Sequence, residues 1–295
     1  MVEAVMLWNE PNNRAYWNSS LDPRWDTFAH LIAEAAWAVR ARSTQLTVLL
    51  GGISPIEPQF LQVLKDKGVL SIVDAVAVHG YPLDWDAWRL EQWPEMLDNT
   101  ARVAGVPVWV TEAGASSFGA QEAQELGLRR TAEMLAGRSP RLYWYCLYDP
   151  VPGSSPAAYR PAMPASRLGR HAHMGLVRQD NSPKAACRTF AGLTPHLGIC
   201  QWFDLFDPRL EQAVEWMKTL GVRSLRTGLS WADSLLPGAS RWFDRQMRLL
   251  EPFDTCLTLC YTPPSQGVEP HPASPPLDCT LFAEFCDSVV RRYAC

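Results

Sequence analysis

Short runs of apolar and β-branched residues alternate along the chain with longer amphipathic stretches. The apolar runs predict eight strands, at Glu3–Trp8, Leu46–Gly51, Val73–His79, Pro107–Thr111, Leu142–Tyr148, Gly198–Phe203, Ser224–Gly228 and Thr255–Tyr261. Strands that alternate with helices form parallel βαβ units, and eight such units close into a barrel. The pattern therefore predicts the α/β class and a single (β/α)8 TIM barrel.

The amphipathic stretches predict the helices of this barrel. They are Asp26–Arg40, Trp85–Ala104 with an interruption near Pro94, Gln121–Ala136, Ser182–Gly192, Pro208–Leu220, Trp242–Leu250 and Leu281–Tyr293. Two proline-rich stretches, Pro150–Arg170 and Pro263–Pro276, predict surface loops. The first is the best candidate for a linker, but three βα units alone would make a poor sheet and five would leave open edges. We therefore expect one domain over 1–295, with five strands in 1–149, a loop and helix in 150–196, and three strands in 197–295.

Composition limits the classes of function. The chain has 295 residues, 47% of them apolar and 20% charged, as in globular proteins. A net charge of −4 with dispersed basic residues argues against a nucleic-acid partner. No apolar run reaches the roughly 18 residues that span a bilayer, so no membrane partner is expected. The first residues lack the pattern of a secretory signal, so we expect a cytoplasmic location, with secretion as the alternative if a signal has been removed.

The eight cysteines form no C-x-x-C pair, and most lie in apolar strands or helices. We therefore expect reduced cysteines that pack as small apolar residues. Cys279 and Cys295 lie in less regular contexts and are the ones expected at the surface. The nearest approach to a metal motif is His171-Ala172-His173, two histidines that we expect to be solvated in a loop. No metal and no cofactor are predicted.

Polar residues follow several predicted strands at the end where barrels bind their ligands. These strand ends hold Asn9, Glu10, His79, Tyr81, Glu112, Trp144 and Arg226. Two carboxylates on separate strands are the groups that glycoside hydrolysis requires. Trp144 offers an apolar face to a sugar ring, Asn9 offers an amide to a sugar hydroxyl, and Arg226 offers a charge that keeps a carboxylate ionised. Structural roles stay open for His79 in the core, Trp144 in barrel packing and Arg226 in a salt bridge.

Two motifs resemble those of a known group of enzymes. Trp8-Asn9-Glu10-Pro11, and the stretch from Trp109 to Gly114 three strands later, are similar to the motifs of clan A retaining glycosidases, which include the family 39 β-xylosidases and family 5 enzymes. The resemblance implies a (β/α)8 barrel in which Glu10 is the acid/base and Glu112 the nucleophile. It assigns substrate binding to the remaining strand-end residues, namely Asn9, His79, Tyr81, Trp144 and Arg226.

The order of the strands differs from that of the clan. There the Asn-Glu-Pro strand is the fourth, whereas here it comes first, and residues 198–261 resemble the clan's opening strands. Joining Cys295 to Met1 would restore the usual order. The sequence thus predicts a circular permutation in which the chain starts at barrel strand four and strands one to three follow strand eight. One departure is the stretch after the last strand, Thr262 to Ser265, which lacks the tryptophan often found just beyond the clan's third strand.

The resemblance implies hydrolysis of β-linked glycosides by double displacement with retention, with carboxyl groups about 5–5.5 Å apart. The implied partner is a carbohydrate, a β-linked glycoside or oligosaccharide. A transglycosidase would use the same residues, and a catalytically silent carbohydrate-binding barrel is the alternative from another class. The presence of both glutamates argues against the silent barrel. The sugar, the linkage and the oligomeric state stay open.

Overall fold

Eight parallel strands close into one barrel in the computed structural model, which describes residues 1–151, 165–194 and 196–294, with the backbone alone at 165 and 166. The strands are β1 (Val2–Leu7), β2 (Thr47–Ile53), β3 (Ala75–Gly80), β4 (Val108–Ala113), β5 (Leu142–Tyr145), β6 (Gly198–Cys200), β7 (Ser224–Ser230) and β8 (Asp254–Cys260). Each strand pairs with the next along the chain, and β8 pairs with β1. The predicted (β/α)8 barrel is confirmed.

Helices surround the barrel and connect its strands. They are α1 (Asp26–Arg42), α2 (Pro58–Asp66), α3 (Trp93–Ala104), α4 (Gln121–Leu135), α5 (Ala165–His171), α6 (Ala186–Leu193), α7 (Leu210–Thr219), α8 (Trp231–Ser234), α9 (Ala239–Leu250) and α10 (Thr280–Tyr293). Among the described residues, no helix combines the length and the apolar character that a membrane span needs.

Local signals explain where some helices begin and end. Helix α3 has Pro94 in its first turn, where a missing N–H costs nothing, and it ends at Gly105 with φ of 72°, a left-handed cap that favours glycine. The prediction started this helix too early, at Trp85. Residues 85–89 form a loop instead, because aspartate side chains there accept hydrogen bonds from the backbone, and Leu90–Gln92 form a short 3-10 helix before Trp93.

Several other helices differ from the prediction. Helix α2 was missed because it has only nine residues, although Phe60, Leu61 and Leu64 are buried on one face. Helix α6 starts four residues later than the predicted Ser182, because the backbone N–H of Arg178 donates to the carbonyl of Ser182 in a turn. Part of the predicted loop Pro150–Arg170 is helix α5, and residues 152–164 lie outside the described residues.

Side chains that point into the barrel close its lower end. The inward-facing cluster consists of Ala4, Met6, Leu49, Ala75, Ala77, Trp109, Tyr143, Cys200 and Cys256, and all are buried. The alternate residues of the same strands face outward and pack against the helices in a larger apolar core. The barrel is therefore filled below and open only at the carboxyl ends of its strands.

The cysteine prediction holds in part. All seven described cysteines are free and buried. The expectation that Cys279 is exposed is wrong, since only 6% of its surface is accessible and it packs in the core at the start of α10. Cys295 lies outside the described residues. The circular permutation and the extent of the domain stay predictions, because a closed ring of strands has the same neighbours whichever strand comes first.

Candidate active site

A cavity of about 600 Å³ opens at the carboxyl ends of the strands. Its wall contains five of the seven predicted site residues, namely Asn9, Glu10, Tyr81, Glu112 and Arg226. They come from four different strands or the residues just after them. The barrel thus brings together side chains that lie up to 217 residues apart in the sequence.

Glu112 is the second-last residue of β4, and two side chains hydrogen-bond to its carboxylate. Arg226 donates to Oε1 and the hydroxyl of Tyr81 donates to Oε2. Burial on its own would raise the pKa of Glu112, but the charges of His79 and Arg226 and these hydrogen bonds outweigh it and lower the pKa. Glu112 is therefore kept as a carboxylate. Burial and the charge of Glu112 raise the pKa of Tyr81 well above its usual value, so its hydroxyl stays a donor.

Glu10 has a different environment, although it lies close by. Its Oε1 is 2.9 Å from Nδ1 of His79, and its Oε2 accepts from Nδ2 of Asn13 at 2.8 Å. Trp8 and Glu10 have φ of 73° and 42°, so the chain enters the left-handed region twice as it leaves β1. This bend turns the Glu10 side chain into the cavity. Asn13 was missed from the sequence, since nothing marks a loop asparagine as a partner of Glu10.

The two carboxylates lie within reach of one substrate atom. One oxygen of Glu10, one oxygen of Glu112 and a ring nitrogen of His79 all lie within 4.8 Å of one another. Within the described residues, a guanidinium contacts Glu112 but none contacts Glu10. The pair therefore combines a carboxylate fixed as an anion with a second carboxyl whose partners are an imidazole and an amide.

Arg226 connects Glu112 to the side-chain amide of Asn9, which lines the cavity. Its Nη2 donates to Oδ1 of Asn9 at 2.7 Å, and its Nε donates to Oγ1 of Thr258 at 3.0 Å. Its Nη1 also lies 3.1 Å from the sulfur of Cys200. Because the Asn9 oxygen is used in this way, the NH2 group of Asn9 is left to face the cavity as a donor.

His79 lies behind the glutamates and not in the cavity wall. It is completely buried, and its second nitrogen, Nε2, lies 3.1 Å from Oγ1 of Thr111. The cavity wall does not include His79, whose ring contacts Glu10 and Glu112, so substrate binding by His79 stays a prediction. Its position suits a residue that orients Glu10.

Trp144, which is also predicted to bind substrate, does not line the cavity either. It is completely buried among the helix-facing residues of the barrel, and Ala113, its partner in the β4–β5 register, belongs to the same layer. Tyr145, the next residue, lines the cavity instead, and its hydroxyl lies 3.0 Å from Nε2 of His171. Alternation along β5 could have placed Tyr145 on the same face as Tyr143, but aromatic residues occupy both faces of this strand.

Aromatic rings form one wall of the cavity. Tyr16 stacks there on Tyr261, with 6.1 Å between ring centroids and 25° between planes. Trp202 meets the same Tyr261 edge-on at 5.7 Å. It fits there because Gly228 has no side chain: a Cβ at Gly228 would lie 2.0 Å from the Trp202 ring. Such faces are apolar surfaces of the kind that sugar rings stack on.

The chemistry of the donors decides whether this centre suits a metal. Glu10, His79 and Glu112 are the one group of the described residues whose ligand atoms lie close enough to hold an ion. All four carboxylate oxygens already accept hydrogen bonds or face a ring nitrogen, and the Arg226 guanidinium beside Glu112 opposes a second cation. The residues thus fit an acid/base pair better than a metal site.

Comparison with known proteins agrees with this geometry. Residues 1–139 match the family model described as a glycosyl hydrolase catalytic core. Nearly half of the chain is thus similar to a glycosyl hydrolase catalytic core. The matched residues include Asn9, Glu10, His79, Tyr81 and Glu112, whereas Arg226 comes from the part of the chain beyond them. A search of curated protein sequences found no match.

Several solved structures are similar to this chain at low identity. A Bacteroides uniformis β-glucuronidase has 15% identity and a TM-score of 0.48, over 68% of this chain and 26% of that one. A chain from a structural study of two fungal β-1,4-galactanases has 17% identity and a TM-score of 0.39, over 54% of this chain and 52% of that one. The carboxyl transferase domain of Rhizobium etli pyruvate carboxylase has 10% identity and a TM-score of 0.48, over 99% of this chain and 48% of that one. The chain spans about a quarter of the length of the β-glucuronidase.

Proposed function

We propose that the chain is a retaining β-glycosidase that hydrolyses β-linked glycosides or oligosaccharides with Glu112 as nucleophile and Glu10 as acid/base. The observation that carries the proposal is the pair of carboxylates with oxygens within 4.8 Å of each other. Retaining glycosidases have carboxyl groups about 5–5.5 Å apart, whereas inverting enzymes need about 6.5–9.5 Å to admit a water molecule. The short separation supports double displacement.

In the first step an oxygen of Glu112 attacks the anomeric carbon and forms an ester bond to the sugar. The bond from that carbon to the glycosidic oxygen breaks, and the proton of Glu10 moves to this oxygen as it leaves. Arg226 and Tyr81 favour Glu112 in this role because they hold both of its oxygens and lower its pKa. Their bonds also orient the carboxylate before substrate arrives.

In the second step Glu10 removes a proton from water, and the water oxygen attacks the same carbon. The ester bond to Glu112 breaks, and the sugar leaves with its original configuration. His79 supports this exchange by holding Oε1 of Glu10 in one place. The free NH2 group of Asn9 lies beside Arg226, where it can donate to the sugar's 2-hydroxyl and strengthen that bond in the transition state.

Two alternatives use the same cavity. In a transglycosidase, a sugar hydroxyl would replace water in the second step, and Glu10 would remove its proton instead. In a silent carbohydrate-binding barrel, the carboxylates would only accept hydrogen bonds from bound sugar. The geometry favours catalysis, because Glu112 is fixed by a buried guanidinium that a binding role does not require.

The test is hydrolysis of a panel of aryl β-glycosides (xyloside, glucoside, galactoside, mannoside and arabinoside) by the wild type, Glu112→Ala and Glu10→Ala. Glu133→Gln, on the exposed face of α4, is the matched control. We expect one sugar to be hydrolysed by the wild type and the control. Both catalytic variants should lose at least about 10³-fold in kcat/KM on a poor leaving group.

Reaction in the presence of azide then distinguishes the nucleophile from the acid/base. In Glu112→Ala, azide should take the place of the nucleophile and give the inverted glycosyl azide. In Glu10→Ala, it should attack the glycosyl-enzyme and give the retained azide. The opposite pattern would reverse the two assignments, and full activity of either variant would contradict the mechanism. Binding of oligosaccharides without turnover would favour the silent barrel.

A further inference from the structure

The side chain of Asn13 contacts Glu10 from the side of the cavity. Its Nδ2 donates to Oε2 of Glu10 at 2.8 Å, and Asn13 itself lines the cavity. The other oxygen of Glu10, Oε1, contacts Nδ1 of His79, a completely buried residue outside the cavity wall. Oε2 is therefore the oxygen of Glu10 that lies toward a bound substrate.

A bond to Ala15 fixes which end of the Asn13 amide meets Glu10. Oδ1 of Asn13 accepts the backbone N–H of Ala15 at 3.1 Å. A side-chain amide has one acceptor oxygen and one donor nitrogen, so this bond leaves the NH2 group against Glu10. Asn13 thus meets Oε2 as a donor.

The backbone around Asn13 forms a turn that holds the amide in place. The N–H of Asn13 donates to the carbonyl of Glu10 at 2.9 Å, and its carbonyl accepts the N–H groups of Tyr16 and Trp17 at 2.8 and 3.1 Å. Nε1 of the buried Trp8 donates to the carbonyl of Tyr16 at 3.0 Å. The donor is therefore positioned by the protein itself before a substrate enters.

The preceding asparagine, Asn12, has a different part in this loop. Its Nδ2 donates to the carbonyl of Pro55 and to Oε2 of Glu57, each at 2.8 Å. Its Oδ1 accepts the N–H of Ser54 at 2.9 Å. Asn12 thus fastens the loop to the segment that follows β2, whereas Asn13 contacts the acid/base.

Other carboxylates surround Glu10 and make a donor useful there. Glu112 has an oxygen within 4.8 Å of an oxygen of Glu10, and Asp86, another residue of the cavity wall, is close enough for the charge of Glu10 to raise its pKa. An N–H donor stabilises the ionised form of Glu10 among these charges. A protonated carboxyl still accepts hydrogen bonds, so Asn13 can donate to Oε2 in both states of the acid/base.

We propose that Asn13 is a positioning residue for the acid/base: its N–H occupies one lone pair of Oε2, so that the proton of Glu10 lies on the other and points at the glycosidic oxygen. The inference rests on the proposed function and deepens it. In the first step the proton moves from Oε2 to the oxygen that leaves. In the second step a proton of water moves to Oε2.

The experiment replaces Asn13 in two ways that separate positioning from folding. Asn13→Ala removes the donor and also the bond to Ala15. Asn13→Asp keeps an acceptor for the Ala15 N–H but puts a second carboxylate against Oε2, where it repels ionised Glu10 or takes up its proton. A purely structural role predicts the greater loss of activity for Asn13→Ala, whereas the proposal predicts the greater loss for Asn13→Asp.

Kinetics are compared on two glycosides of the sugar that the aryl panel selects. On the phenyl glycoside, whose oxygen needs a proton as it leaves, Asn13→Ala should lower kcat/KM about 10- to 100-fold, as expected for losing a hydrogen bond to a charged group. Asn13→Asp should lower it further. On the 2,4-dinitrophenyl glycoside, which leaves as an anion, kcat/KM of both variants should stay within about threefold of wild type.

Asn99→Ala is the matched control, because Asn99 of α3 also makes a side-chain hydrogen bond, from Arg102 at 2.8 Å, but on the surface. It should behave as wild type on both glycosides. A loss on the phenyl glycoside alone, larger for Asn13→Asp than for Asn13→Ala, supports the proposal.

Three outcomes would overturn the assignment of Asn13. They are equal losses on the two glycosides, a greater loss for Asn13→Ala than for Asn13→Asp, and wild-type kinetics in both variants. The proposed function fails separately, when Glu10→Ala loses no more on the phenyl than on the dinitrophenyl glycoside, and the inference is then withdrawn with it.

Discussion

Nδ1 of His79 lies 2.9 Å from Oε1 of Glu10, and the imidazole that makes this contact is completely buried. The other ring nitrogen is held by Thr111 at 3.1 Å. The ring is fixed from behind as well, because Gly52 approaches it so closely that any side chain there would overlap it. A strand-end carboxyl is thus positioned by a buried residue outside the cavity wall.

Gly52 offers a way to move His79 without replacing it. A Cβ at Gly52 would lie 2.5 Å from the imidazole, and its φ of 49° also disfavours alanine. Gly52→Ala should therefore displace the ring from Glu10 and lower kcat about 10- to 100-fold. The loss should be larger on glycosides with poor leaving groups, which need the acid most. Kinetics on a series of aryl glycosides measure this.

Gly68→Ala is the matched control for that variant. Gly68 has φ of 79°, so alanine is strained there too, but a Cβ would meet nothing within 4 Å. Equal kinetics for Gly52→Ala and Gly68→Ala would show that the position of His79 does not matter for the reaction.

The hydrogen bond from Tyr81 predicts a change in pH dependence. The pKa of Glu112 is lowered in part by this bond, so Tyr81→Phe should raise it. Because Glu112 must be ionised to attack, the acidic limb of kcat/KM should move to higher pH. Tyr293→Phe, on α10, should leave the limb in place. An unchanged limb in Tyr81→Phe would contradict the assignment of Glu112 as the group that titrates there.

Asp86 predicts how stability depends on pH. Its pKa is about 6 in the folded chain against 3.8 ordinarily, so the folded state binds more protons than the unfolded state between these values. The free energy of unfolding should therefore fall as pH rises from 4 to 6, by about 2 kcal/mol from this residue. In Asp86→Asn that contribution is absent. Between pH 4 and pH 6 the variant's free energy of unfolding should therefore rise by this amount relative to that of the wild type. Urea unfolding at pH 4 and pH 7 tests it, and the same wild-type-to-variant difference at both pH values would count against it.

Neighbouring residues of β5 should respond in opposite ways. Tyr145→Ala, in the cavity wall, should lower kcat/KM with a modest effect on stability. Trp144→Ala should lower the free energy of unfolding by about 3–5 kcal/mol, because it empties a large site in the core. Trp144→Phe should keep wild-type kinetics. Kinetics and denaturant unfolding of the three variants distinguish the roles, and a kinetic defect confined to Trp144→Phe would restore the residue to the cavity.

The sequence was sufficient for the architecture because the relevant signals repeat. Eight apolar runs separated by amphipathic stretches admit few arrangements other than a closed barrel, and that barrel is what forms. The apolar pattern did not predict helix α2, because an element of nine residues gives only a weak signal. It also failed before Trp93, where Asp84 and Asp86 bond to backbone N–H groups and prevent the helix that the pattern predicted.

The site was predicted less completely, for a geometric reason. A motif shows that a residue lies at a strand end. How deeply its side chain is buried, and whether it faces the cavity or the helices, depend on the closed barrel. His79 faces inward yet lies beneath Glu10, and Trp144 faces the helices while Tyr145 faces the cavity. Asp86 carries no motif at all, and its position became visible only with the loop that holds it.

The most direct test of the proposed mechanism is to trap the glycosyl-enzyme. A 2-deoxy-2-fluoro-β-glycoside with a good leaving group, built on the sugar that the panel selects, slows the second step more than the first, so the ester should accumulate. Mass spectrometry of the intact chain should show one added fluorosugar, and peptide mapping should place it on Glu112. A label on Glu10, or turnover without a label and with an inverted product, would contradict double displacement through Glu112.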